Sequence, residues 1–110
     1  MISVAMIGEW DDDEGVEALQ RLVETCLRHV GNDTVPIAFF LLSFYDGAEF
    51  RADIEMLCRR IDGRLFKDVI LTMILKILMR KSGMDWYEYF LNGRDIVDEL
   101  IENYEEYCDF

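Results

Sequence analysis

The sequence predicts an all-α fold, a compact bundle of about six helices in a single domain. Three observations carry this. Apolar residues recur at spacings of three and four through most of the chain, the period of a half-buried helix. Proline occurs once and glycine seven times in 110 residues, so there are few breakers. Glycine or asparagine closes nearly every apolar segment, where a helix is expected to stop.

The first helix is expected over about Glu14 to Val30, with Asp13 as its cap and Gly31 just past its end. Val16, Leu19, Val23, Cys26, Leu27 and Val30 fall on one face. Glu17 to Arg21 and Glu24 to Arg28 are i,i+4 pairs of the favourable orientation. The second helix, about Val35 to Asp46, has Thr34 as cap and Pro36 in its first turn, where a missing N–H costs little. Gly47 ends it. Ile37 to Leu42 leave almost no polar face, which marks a central helix.

A shorter helix follows over about Ala52 to Ile61, with Ile54, Leu57, Cys58 and Ile61 as its apolar stripe. Gly63 separates it from a longer helix over about Leu65 to Lys81. There Leu65, Phe66, Val69, Ile70, Met73, Ile74, Ile77 and Leu78 read as the buried side. Lys67, Asp68, Thr72, Lys76 and Arg80 read as a narrow wet stripe, and Ser82-Gly83 as the stop. The second and fourth helices are thus expected at the centre of the bundle. Asp85 to Glu88 has the form of a capping box opening a short aromatic helix, Trp86 to Leu91, closed by Asn92-Gly93. Asp95 then caps a last helix to about Tyr107. Its buried face is Val97, Leu100, Ile101, Tyr104 and Cys108. Ile2 to Ile7 reads as an extended segment.

The stretch Cys58 to Val69, of pattern Cys-x-x-Ile-Asp-x-x-Leu-Phe-x-Asp-Val, is followed by Asp85-Trp86 and by Tyr89-Phe90-Leu91-Asn92-Gly93-Arg94-Asp95-Ile96. Together with Gly15 to Leu22 and Phe40-Leu41-Leu42, it resembles an uncharacterised family of small helical proteins carried on proteobacterial plasmids and prophages. The shared residues are caps, glycine stops and core positions. The resemblance implies a mobile-element context and carries over no activity and no functional residue.

Composition narrows the function classes. Apolar residues make up 52% and charged residues 31%, the balance of a globular chain. The longest apolar runs, Val35 to Tyr45 and Val69 to Met79, fall well short of the roughly 20 residues a bilayer span needs. Met1 to Gly8 lacks the basic start of a secretory leader. Three widely spaced cysteines, Cys26, Cys58 and Cys108, read as free thiols in a reducing compartment, so a cytoplasmic location is expected. The net charge is −12 and is unevenly placed. Residues 1–50 carry −8, residues 51–84 carry +4 and residues 85–110 carry −8. That sign disfavours direct nucleic-acid binding and anionic membranes.

No catalytic motif is evident. Cys26 and His29 lie one turn apart, and with Cys58 and Cys108 they have the composition of a zinc site. The paired C-x-x-C spacing is absent, and core thiols are the favoured reading. No nucleophile elbow accompanies them, and His29 reads as a surface residue near a helix end. No metal and no cofactor is therefore expected. The aromatic set Trp10, Trp86, Tyr87, Tyr89 and Phe90 has the makings of a recognition patch, but core is the stronger reading.

The last helix breaks a local rule. Asp98, Glu102, Glu105, Glu106 and Asp109 fall along one face, with Asp95 and Glu99 adding charge. Like charges at i,i+4 oppose a helix, and so do acids at its C-terminal end. No base follows Arg94. Two accounts compete. The stripe pairs within the fold with Arg59, Arg60, Arg64 or Lys67, or it meets a basic surface on another protein. Carboxylates about 5–6 Å apart at Cβ approach the phosphate spacing of a nucleic-acid strand, so a nucleic-acid-binding protein is a fitting target. The expected contact residues are Asp98, Glu102, Glu105, Glu106 and Asp109, with Asp11, Asp12 and Asp13 secondary. The expected function is a non-catalytic accessory protein that inhibits a nucleic-acid-handling host protein, such as a defence complex. A structural or regulatory homodimer is the alternative, and a small metal- or thiol-dependent enzyme the second.

Overall fold

A computed structural model describes residues 14–82 and 85–108, with side chains for all of these except 78–82. Five α-helices account for most of it: α1 Glu14–Arg28, α2 Val35–Ser43, α3 Ile54–Arg60, α4 Gly63–Ser82 and α5 Gly93–Tyr104. Two 3₁₀ turns, Trp86–Tyr89 and Glu105–Tyr107, flank α5. The described residues include no strand. The expected extended segment Ile2 to Ile7, the cap at Asp13, the stop at Gly83 and the burial of Leu78 lie outside the described residues.

α1 is the middle layer. It packs along α4 on one side and touches α2 and α5 on the other, while α3 rests against α2. Its apolar positions Val16, Leu19, Leu22, Val23, Cys26 and Leu27 are all buried. Glu14 and Glu17 stand in its first turn and Arg28 in its last, as the helix dipole favours. The helix stops at Arg28, so Val30 is exposed rather than part of the buried face. α2 is central as expected, with Val35, Ile37, Ala38, Phe40, Leu41 and Leu42 buried.

Local sequence explains the joints. Asp46 Oδ1 accepts from the amides of Ala48 and Glu49 and turns the chain after α2. The turn delivers Phe50 into the core, edge-on to Phe39 at 5.5 Å. Asp53 Oδ1 accepts from Met56 N at 3.1 Å and starts α3. Asp62 Oδ1 accepts from Leu65 N at 2.9 Å and starts α4, so Gly63 opens that helix instead of separating two. In α3 only Leu57 is buried, and the expected partners Ile54 and Cys58 face solvent.

Several caps differ from expectation. Thr34 precedes α2 but makes no capping bond. Its hydroxyl meets that of Tyr104 at 2.7 Å, and Tyr104 donates in turn to the Cys26 carbonyl at 2.7 Å. A buried polar link thus ties the end of α1, the start of α2 and the end of α5. The capping box at Asp85 to Glu88 does not form. Asp85 makes no cap bond and forms an ion pair with Lys76 at 3.6 Å, and the segment is one 3₁₀ turn. The turn drives Trp86 into the core, where Nε1 donates to the Leu41 carbonyl at 2.9 Å. Gly93 begins α5 instead of ending a helix, and Asp95 lies in the first turn rather than at the cap.

The largest departure is α4. It lies on the outside of α1, not at the centre. Asp68 and Thr72, expected on the wet stripe, are buried beside Val69 and Leu75. Ile70, Met73, Ile74 and Ile77, expected inside, are exposed. The cause is a contact far apart in sequence. Arg21 on α1 grips Asp68 with both arms of its guanidinium, Nε to Oδ2 at 2.9 Å and Nη2 to Oδ1 at 2.8 Å. Paired in this way, the carboxylate can be buried and sets the rotation of α4. Arg21 is thereby diverted from the expected pairing with Glu17.

Candidate interaction surface

α5 buries Ile96, Val97, Leu100 and Tyr104 against α1 and α2, and the same period turns its acids outward. Asp95, Asp98 and Glu102 are exposed, and Glu99 is half-buried. The α-helix ends at Tyr104, and Glu105 and Glu106 continue in the 3₁₀ turn, both exposed. The carboxylate stripe therefore bends at its C-terminal end. Asp109, Asp11, Asp12 and Asp13 lie outside the described residues.

No ion pair joins the stripe among the described residues, although Asp98 acts electrostatically on Arg94 one turn before it. Among the described residues, the ion pairs are Arg21 with Asp68, Arg59 with Glu55 and Lys76 with Asp85. None involves Asp98, Glu102, Glu105 or Glu106. Arg60, Arg64 and Lys67 are exposed on α3 and α4. Arg94, one turn before Asp98, places its guanidinium 5.8 Å from the centre of the Tyr45 ring. Asp98, Glu102, Glu105 and Glu106 thus form a row of exposed carboxylates that no salt bridge spans among the described residues.

The chemical alternatives fare differently. Cys26 is fully buried, and burial pushes its thiol well above the ordinary range. His29 is exposed just past the end of α1. Cys58 is exposed and Cys108 half-buried. No cluster of three metal-ligating side chains occurs among the described residues. Trp86, Tyr89 and Phe90 are core, Tyr87 is half-buried, and Trp10 lies outside the described residues.

Sequence reasoning missed two surfaces. One is the outward apolar stripe of α4. The other is a cleft of about 430 Å³ between α2 and α3, floored by Val35, Phe39 and Met56 and flanked by Arg51, Arg60 and Tyr107. Arg51 reads in the sequence as an ordinary surface charge and Arg60 only as a candidate partner for the acidic stripe, and the fold brings both to the lining of one cleft. Among the described residues no helix is long and apolar enough to cross a membrane.

Residues 16–105 match the model of a family of unknown function, DUF7673. No curated protein matches the chain. No solved structure matches it either.

Proposed function

The chain belongs to the DUF7673 family of unknown function, and we propose that it is a non-catalytic binding protein that meets a basic protein surface through the carboxylates of α5. The observation that carries the reading is the exposure of Asp98, Glu102, Glu105 and Glu106 without an ion pair among the described residues. Glu102, Glu105 and Glu106 at the helix C-terminus oppose the dipole, and they and Asp98 repel one another. A local cost with no internal compensation is where a function is expected. The proposed target is a nucleic-acid-handling protein, whose phosphate-binding surface has the complementary charge. The resemblance to proteins of plasmids and prophages supports a mobile-element origin and a host target such as a defence complex.

The test is capture from bacterial lysate by the immobilised protein and by a variant carrying Glu102→Lys, Glu105→Lys and Glu106→Lys. At low salt the wild type should retain a basic nucleic-acid-handling protein. That protein should be released at high salt, where the screening length falls from about 10 Å at 0.1 M to about 3 Å at 1 M. The variant should retain none of it while keeping its helical circular dichroism. Equal capture by both proteins would remove the reading.

A further inference from the structure

The cleft between α2 and α3 takes a residue pair one helical turn apart from each side. Val35 and Phe39 come from α2, and Met56 and Arg60 from α3. Arg51 and Asp53 join them from the segment that leads into α3, and Tyr107 from the 3₁₀ turn after α5. Leu57 is the one buried residue of α3, so the rest of that helix is not used up in the core. Val35 is buried, Phe39 and Met56 are half-buried, and Arg51 and Arg60 are exposed. The result is an apolar floor with bases at its edge. Its volume of about 430 Å³ lies within the roughly 300–1,000 Å³ of small-molecule pockets, which share this pattern of apolar lining and few polar groups.

The polar groups select the head group of the ligand. Arg51 and Arg60 enter no ion pair among the described residues, and Glu55 on α3 is taken by Arg59. The one acid in the lining, Asp53, already accepts the Met56 amide through Oδ1 as the cap of α3. Two bases and one acid leave a single positive charge around the cleft. A guanidinium is planar, permanently charged and weakly hydrated, and its paired donors match the two oxygens of a carboxylate. A doubly charged phosphate would face the Asp53 carboxylate with only one net charge to balance it. The lining therefore suits a singly charged, planar head on an apolar body.

We propose that this cleft binds a small apolar monocarboxylate, with the carboxylate held by Arg51 and Arg60 and the hydrocarbon or aromatic body laid on Val35, Phe39 and Met56. Such binding uses none of the α5 carboxylates and does not rest on their role.

The probes are naphthylacetate, phenylpropionate and octanoate, each titrated calorimetrically against the full chain beside its own primary amide. Acetate and naphthyl phosphate complete the set. At least one of the three acids should bind about ten-fold more tightly than its amide and than acetate, the worth of one charge-assisted hydrogen bond. Arg51→Gln and Arg60→Gln should each weaken that acid by a similar factor with an unchanged melting temperature. Arg64→Gln, which removes an exposed base outside the cleft, should leave its binding as it was. If no acid surpasses its amide, the proposal is overturned. Equal weakening by Arg64→Gln would also overturn it, as would tighter binding of naphthyl phosphate than of naphthylacetate. If the acids bind only to a Phe110→Ser variant, residues 109–110 fill the cleft, and the proposal falls.

Discussion

A methyl group at position 93 would lie 1.9 Å from the Tyr87 carbonyl oxygen and 2.8 Å from its carbon. Both are backbone atoms of the 3₁₀ turn that carries Trp86 into the core, so neither can move aside as a flexible side chain would. Glycine is required here for close approach of two backbones. Gly63, by contrast, would place its methyl in open space. Gly93→Ala should cost about 3 kcal/mol, at the upper end for overpacking, because relief means shifting α5 or the turn. Urea unfolding measures this. A loss within about 0.5 kcal/mol of Gly63→Ala, which gains some helix propensity, would show that the turn yields easily. The sequence marked both glycines as stops between helices. Both open helices instead, and only the packing of Tyr87 on Gly93 distinguishes their roles.

At the level of the element, α4 shows what a local pattern cannot settle. α2 was legible because it is apolar almost all round, and any rotation buries it. The inward and outward faces of α5 were legible because its apolar and acidic residues separate cleanly at one period. On α4 the apolar residues outnumber the places available on one face, and the polar ones are few. Which side turns inward is decided by Arg21, 47 positions away in sequence from Asp68. The sequence paired Arg21 with Glu17, its near neighbour on the same helix. The clasp has an asymmetry that makes it testable, since the Asp68 side chain is 3% exposed and that of Arg21 is 48% exposed. Removing the guanidinium leaves a buried carboxylate alone. Removing the carboxylate leaves a guanidinium that can turn to water. Arg21→Met should therefore cost about 3 kcal/mol, the low end for a broken buried pair. Asp68→Asn should cost only about 1 kcal/mol, since the freed arginine is solvated. Equal losses in chemical denaturation would mean that the pair does not orient α4.

At the scale of the whole molecule the charge is divided along the chain, with most of the bases on α3 and α4 and an excess of acids both before and after them. The candidate site was legible to the extent that its carboxylates fall on one helical face. Their lack of ion pairs among the described residues was not legible, because it depends on which helices pack together. That lack has a consequence for stability as well as for binding. Glu102, Glu105 and Glu106 stand at the negative end of the α5 dipole and repel one another and Asp98. Replacing all three by lysine reverses each of these terms and lowers the net charge from −12 to about −6. Exposed charges near a helix end contribute about 0.3–1 kcal/mol each at low ionic strength, so the triple variant should be more stable than the wild type by about 1–2 kcal/mol. The gain should shrink as salt screens the dipole and the repulsion. Thermal unfolding of the two proteins at low and high salt reads it directly. A variant that is more stable but no longer captures a basic partner would show that the acids are retained for contact at the expense of the fold. A variant that is less stable at low salt would mean that the carboxylates are held by interactions within the chain, and the α5 stripe would lose its standing as a binding surface.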